Sequence, residues 1–429
     1  MIILSGPRWT WICSSAAILL FIISSRPNLA AIDLSPLGLT PEQIAMVLEH
    51  RVTQGLPPRD PSNHYCDDPK AAQFGKQVFF SDSYSIGEKM SCASCHDPKL
   101  GLADGKKTAV GADGTVGDRN SPGLWNVGFN RWFFWDGRAD CLWVQALEPI
   151  ENVHELCSSR NKICHVVAEN APLRKSYEDV FGQLPDISSY DRFPENARPP
   201  FQGVSDDASH KWDRMSEEDK HTINDMYVKI GKSLEAYERG FISRKSRFDE
   251  FADGVAEKDS EKLKALDAEE IEGLKIFTSK GNCELCHSGP NFTDYEFHST
   301  RLPATKGSEP GRFHGIQVLQ EREFSASKPL SDDIAYGITH SQGLVKSAQQ
   351  FGQFKTPSLR NVQLTAPYMH TGQFGNLDQV VSFYSDLKGA TPSSHDSEQL
   401  LVPLNLSASE QHALVAFLKS LTDLNSKPQ

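Results

Sequence analysis

Two short stretches of this chain carry residue types suited to redox chemistry. Cys92-Ala93-Ser94-Cys95-His96 and Cys283-Glu284-Leu285-Cys286-His287 share the spacing Cys-x-x-Cys-His. Two thiols at that spacing reach the two vinyl groups of one porphyrin as thioethers, and the adjoining His offers an imidazole nitrogen to the iron. A zinc half-site or a redox dithiol needs the cysteines but not the His that directly follows each pair. The pattern therefore predicts two covalently bound haem c groups, with His96 and His287 as iron ligands. A third arrangement, Cys157 and Cys164-His165, has too many residues between its thiols for that geometry and is expected to bind no haem.

Helices must present these motifs. Phe74-Gly75-Lys76-Gln77-Val78-Phe79-Phe80 precedes the first and Gly273-Leu274-Lys275-Ile276-Phe277 the second, an internal repeat in which a helix leads into each motif. The second of these helices is opened by a capping box, Asp267 with Glu270. Ser407 with Glu410 opens a further helix whose apolar face is Ala413, Leu414, Phe417, Leu418 and Leu421, suited to close a small haem domain against its first helix. Near the start, Thr40-Pro41-Glu42-Gln43 caps a short helix with Ile44, Val47 and Leu48 on its apolar side, followed by a linker at Pro57-Pro58 and Asp60-Pro61. The stretch from Asp186 to Lys220 is charged and proline-rich and reads as surface loops; Asp225 to Phe251 reads as helical; strands are scarce. The expected fold is mostly α: two tandem cytochrome c-like haem domains with loop-rich insertions. Residues 31–67 form an extension laid over the outside of a domain, 68–250 the N-terminal haem domain and 251–429 the C-terminal one.

Hydrophobic residues at 38% and charged residues at 23% of 429 describe a soluble globular protein. A formal net charge of −12 argues against a nucleic-acid partner. Arg8, the apolar run from Trp9 to Ile23, and the small residues Ser24, Ser25 and Ala30-Ala31 read as a secretory signal, residues 1–30, cleaved near Ala30. An uncleaved anchor is the alternative, since the run is near the lower length for spanning a bilayer. The protein is expected in the periplasm, with no stable membrane insertion after cleavage. Of nine cysteines, Cys13 leaves with the signal and four hold haem. Cys66, Cys141, Cys157 and Cys164 are an even number in an oxidising compartment, so two disulfides are expected, with the pairing open.

Further motifs carry a resemblance. Arg119-Asn120-Ser121-Pro122, Trp135-Asp136-Gly137-Arg138, Gln145-Ala146-Leu147-Glu148-Pro149, Lys355-Thr356-Pro357-Ser358-Leu359-Arg360-Asn361 and Thr365-Ala366-Pro367-Tyr368-Met369-His370 accompany the two haem motifs. Over about residues 68–425 the chain resembles the bacterial di-haem cytochrome c peroxidase family, in its MauG-like branch. The resemblance implies a peroxidatic haem on His96, with Gln145 and Glu155 in its distal pocket. A carboxylate there suits peroxide chemistry, because O–O heterolysis needs a group that takes a proton from one oxygen and returns it to the other. It also implies an inter-haem Trp135 and a Ca²⁺ held by the Asn120 side-chain oxygen and the main-chain oxygens of Thr365 and Pro367, donors that suit that cation.

One departure from the family pattern matters. Many members carry a His in the loop before Arg119 that blocks the peroxidatic iron; here residues 110–119 contain no His, so that haem is expected to be five-coordinate or to hold only water. For the His287 haem, the resemblance makes Tyr384 the second ligand, as in MauG, with Met369 the competitor. The implied activity is reduction of H₂O₂ to water with electrons from a small c-type cytochrome or cupredoxin. The alternative is a maturase that oxidises Trp or Tyr of a partner protein through a high-valent di-haem state.

Overall fold

The computed structural model describes residues 34–53, 55–305, 307–392 and 400–426, and it is dominated by helix. In chain order the helices are α1 (Pro41–Glu49), α2 (Pro69–Phe80), α3 (Cys92–Cys95), α4 (Leu142–Glu151), α5 (Arg160–Glu169), α6 (Ala171–Phe181), α7 (Asp207–Asp213) and α8 (Glu217–Glu238). They continue as α9 (Arg247–Glu257), α10 (Ala268–Phe277), α11 (Arg312–Glu321), α12 (Ile334–Ser341), α13 (Leu377–Asp386) and α14 (Ala408–Ser420). Among the described residues the strands are β1 (Phe297–His298) and β2 (Phe354–Lys355), antiparallel, with Phe297 opposite Lys355. The capping boxes expected at Thr40, Asp267 and Ser407 are all formed. The expected leader, residues 1–30, lies outside the described residues.

Two apolar cores hold the molecule together. The first gathers α2, α4, α5, α6 and α8 around Phe74, Phe79, Trp143 and Tyr227, all essentially fully buried. The second gathers α1, α9, α10 and α14 around Val47, Phe248, Phe277 and Phe417. In each core the helix before the haem motif crosses a long partner at a glycine: α2 meets α8 at Gly75, and α10 meets α14 at Gly273. A Cβ would lie 1.9 Å from the Ser233 carbonyl oxygen at Gly75 and 2.0 Å from that of Ala413 at Gly273. Backbone touches backbone at both crossings, which explains why the repeat keeps a glycine inside a helix that would otherwise favour Ala by about 1 kcal/mol.

The amino-terminal extension is no mere wrapping. Val47 of α1 is fully buried in the second core, and Gln43 Nε2 donates to the Lys275 carbonyl and to Thr278 Oγ1, both at 3.2 Å. Residues 57–67 then cross to the first core. Arg239 donates to the Pro58 carbonyl (2.7 Å), Asn63 to the Lys232 carbonyl (3.0 Å), and Trp143 Nε1 to Ser62 Oγ (3.0 Å).

Two expectations need correction. The stretch from Asp186 to Lys220 is not all loop: α7 and the first turn of α8 lie in it, because Asp206 and Ser209 form a capping box and Trp212 is buried against the first core. The two disulfides are absent as well; Cys66, Cys141, Cys157 and Cys164 are all free. Their thiols are held by different neighbours: Cys141 Sγ by the Asp140 carboxylate (3.5 Å), Cys157 Sγ by the Val153 carbonyl (2.8 Å) and Cys164 Sγ by the Ile223 carbonyl (3.8 Å). His165 is a core histidine, its Nε2 2.8 Å from the Phe193 carbonyl and its ring stacked on Tyr190.

Gly273→Ala is expected to destabilise the protein by about 1–3 kcal/mol, because the forced shift of α14 outweighs the gain in helix propensity. Denaturant unfolding followed by far-UV circular dichroism checks this; an unchanged or raised midpoint would contradict the close crossing.

Candidate functional site

Each Cys-x-x-Cys-His motif is a single helical turn with its His directly after it. Ser91 caps α3 in a capping box with Ser94, and the His96 N–H closes the turn on the Cys92 carbonyl at 3.0 Å. In the second motif Asn282, in the left-handed region, opens a 3₁₀ turn over Cys283–Leu285, and the His287 N–H donates to the Cys283 carbonyl at 2.8 Å. The imidazoles are oriented alike. Nδ1 of His96 donates to the Leu102 carbonyl (3.0 Å) and Nδ1 of His287 to the Phe292 carbonyl (2.9 Å). A carbonyl can only accept, so Nδ1 carries the proton in both and Nε2 is left as a free donor to a metal. Burial also lowers the pKa of both rings, which keeps them neutral, the form that ligates iron.

Both histidines line one cavity of about 1530 Å³ that runs between the two cores. This exceeds the roughly 300–1,000 Å³ of an ordinary ligand pocket and suits two large groups rather than one. Cys95, Cys283 and Cys286 line it too, and Cys92 begins α3 beside Cys95. So do Asn120, Trp135, Gln145, Glu155, Thr365, Pro367, Met369 and Tyr384: the fold brings the sequence-derived candidates together around one space. The residues fit haem in another way. Lys355 lines the cavity, and burial pushes its ammonium down to about 8, with only the Asp294 carboxylate opposing. A propionate is the kind of anion that would relieve it.

Around His96, α4 supplies Gln145 and the turn after it supplies Glu155. Burial first, and the Glu148 carboxylate second, push the Glu155 carboxyl up to about 7. Asn152 Nδ2 donates to Glu155 Oε1 at 2.6 Å, which fixes the group and favours its ionised form. Glu148 behaves oppositely. Burial would raise it, but Arg138 at 2.7 Å and Arg322 at 3.1 Å outweigh burial and hold it ionised. One segment thus carries a fixed anion and a carboxyl able to gain or lose a proton near neutrality.

The loop 110–119 packs directly on this turn. The Ala112 N–H donates to the Glu155 carbonyl at 2.7 Å, and a Cβ at Gly111 would lie 2.4 Å from the His154 carbonyl oxygen. Its residues from Thr115 to Arg119 line the cavity, and none of them has a side chain that ordinarily ligates haem iron.

Trp135 lies on the seam between the two halves. Its Nε1 donates to the Asn120 carbonyl (2.8 Å), and its own carbonyl accepts from the Lys355 N–H (2.7 Å). Asn120 spends its side-chain nitrogen on the Lys106 carbonyl (2.9 Å), which leaves Oδ1 as its available ligand atom. Thr365 and Pro367 line the same cavity as Asn120, so the residues present offer neutral oxygens of the kind that suit Ca²⁺. On the His287 side, Tyr384 of α13 faces the cavity, and burial, then Cys283 and Cys286, push its phenol well up. Met369 lines the same space and packs in one small apolar cluster with Tyr384.

Comparison with known proteins agrees with this geometry. The family profile for di-haem cytochrome c peroxidase matches residues 69–257. Cytochrome-c peroxidase IdrP1 of Pseudomonas sp. strain SCT is 30% identical over 364 residues, 83% of this chain and 82% of that protein. The chain belongs to the di-haem cytochrome c peroxidase family. It is accordingly an oxidoreductase of the peroxidase type with two haems. Methylamine utilization protein MauG of Methylorubrum extorquens is 28% identical over 356 residues, 82% of this chain and 78% of that protein. The solved structure of the diheme peroxidase BthA from Burkholderia thailandensis superposes with a TM-score of 0.62 at 22% identity, covering 88% of this chain and 94% of that one, and shows the shared fold.

Sequence reasoning missed several residues of the site. Asn152 belongs to no motif, and Lys355, though it opens one, has no role assigned by it; only their contacts mark them. Pro199 to Gly203, in the insertion, line the cavity with Glu155, so part of the insertion roofs the site. Intact-mass measurement of the purified protein is expected to give the chain plus two haems, and the Cys92→Ala/Cys95→Ala variant the chain plus one. An unchanged mass in that variant would contradict attachment at the first motif.

Proposed function

We propose that this protein is an exported, periplasmic peroxidase that reduces H₂O₂ to water at a haem c attached through Cys92 and Cys95 and ligated by His96. Electrons reach it through a second haem c, attached through Cys283 and Cys286 and ligated by His287 and Tyr384. The observation that carries this reading is the Glu155 carboxyl, poised near neutrality on the same cavity as His96 and Gln145. The bound haem supplies the iron that holds peroxide and the redox equivalents that split it.

The chain supplies the rest. Overall, H₂O₂ takes up two electrons and two protons and leaves as two waters. The Glu155 carboxylate would accept a proton from one peroxide oxygen and return it to the other, which would then leave as water rather than hydroxide. Gln145 offers an amide N–H to hold peroxide in place. Asn152 keeps Glu155 oriented and available as a base. Trp135, bonded to the Asn120 carbonyl on one side and to the Lys355 N–H on the other, would be held between the two haem sites, where its indole would relay electrons. Asn120, Thr365 and Pro367 would hold a Ca²⁺ that fixes the spacing of the two sites. The external donor is a small c-type cytochrome or cupredoxin.

A second reading is favoured by two features: a loop 110–119 with no ligand for the iron, and Tyr384 on the cavity. Both suit a MauG-like enzyme that needs no reductive activation and draws its electrons from Trp or Tyr side chains of a partner protein. A phenolate oxygen favours ferric and more oxidised iron over ferrous.

Glu155→Gln is expected to slow the reaction with H₂O₂ by roughly 10²–10⁴-fold. In the unsubstituted protein the rate rises with pH through about 7, because the carboxylate is the active form and its pKa is raised to that value. Asn152→Ala removes a donor that stabilises the carboxylate, so the midpoint of the profile moves to higher pH. Stopped-flow rates across the pH range read both effects; a flat profile, or a Glu155→Gln rate within twofold of the original, would overturn the assignment.

A further inference from the structure

His50, at the end of α1, is completely buried, yet neither ring nitrogen is left idle. Nδ1 donates to the Gly289 carbonyl at 2.6 Å, and Nε2 lies 2.6 Å from Glu284 Oε2. The ring stacks on Phe292, with centroids 4.1 Å apart and planes within 8° of parallel. Phe248 and Phe277 close its other sides edge-on, each at 6.1 Å.

All three of the polar and stacking partners belong to the loop of the second haem motif. Glu284 stands between Cys283 and Cys286. Gly289 follows His287 by two residues. Phe292 provides the carbonyl that orients His287 through Nδ1. The clamp is specific to this haem, because the position that Glu284 holds in the second motif is Ala93 in the first, which has no polar group to engage.

We propose that His50 is a positioning residue of the C-terminal haem: it fixes the loop that carries His287, balances the Glu284 carboxylate beside that loop, and thereby sets the reduction potential of this haem and not of the other. The proposal rests on the reading that the second motif holds a haem. It follows from two known levers on a haem: the hydrogen bonding of its proximal His, and the charge in the low-dielectric shell around it. Glu284 is only 15% exposed, so water screens it poorly. Without the imidazole, a carboxylate stands uncompensated beside the haem and favours the ferric state. With both groups made neutral, that charge is gone.

The test uses the full holo-protein with both haems bound, their number counted by pyridine haemochrome assay, and the midpoint of each haem followed spectroelectrochemically. His50→Gln is expected to lower the midpoint of the His287 haem and leave the His96 haem where it was. Glu284→Gln is expected to raise the midpoint or leave it unchanged, and the double variant His50→Gln/Glu284→Gln to return it toward the original value. The double variant separates charge from damage to the fold, since a merely structural role for His50 gives no such rescue. Equal shifts at both haems, no shift at either, or a double variant as low as His50→Gln would overturn the inference. A single haem in the unsubstituted protein would overturn the reading beneath it.

Discussion

The geometry of this protein turns on the seam at Trp135. Its indole N–H is bonded to the N-terminal half through Asn120, and its carbonyl to the C-terminal half through Lys355. Around that pair, the Asn120 N–H donates to the His370 carbonyl (3.0 Å), the His370 ring stacks on Phe354 (3.7 Å), and Glu309 joins His370 (2.7 Å) to Arg119 (3.3 Å). Three of these contacts cross between the halves, Lys355 to Trp135, Asn120 to His370 and Arg119 to Glu309, and all three would be lost if the halves slid past each other. Electron transfer falls steeply with distance, so a rigid seam matters more to this chemistry than the stability of either half.

Charge is apportioned with similar economy. Glu148 and Glu155 are seven residues apart in one helix and turn, but Arg138 and Arg322 hold the first ionised while burial leaves the second free to change protonation. The two proximal histidines are kept neutral by burial and aimed by a backbone carbonyl. Beyond them the halves diverge. One has an open loop over its site, and the other a clamp from α1 beneath it.

Local signals were the legible part of this fold. The capping boxes at Thr40, Asp267 and Ser407, the two Cys-x-x-Cys-His turns and the helix before each are written within a few residues of one another, and the structure has them all. The close approach at Gly75 and Gly273 is visible in the repeat once the crossings are known. Illegible were features made between distant residues. His50 meets Glu284 across 234 positions, and nothing in α1 marks that residue as more than the end of a helix. Helix α7 hides among prolines and charges, because its capping signal at Asp206 lacks an apolar run to follow. The even count of spare cysteines suggested pairing, but their thiols sit on separate elements, each with its own neighbour.

The central claim is an open iron on His96 electronically joined to a second haem on His287. Its most direct test is rapid mixing of the fully ferric protein with one equivalent of H₂O₂, read across the visible spectrum with no reductant present. The account predicts that the absorption of both haems changes together in one fast phase. Silence until one haem has been reduced would contradict it, and would mean that some group of the chain occupies the His96 iron at rest.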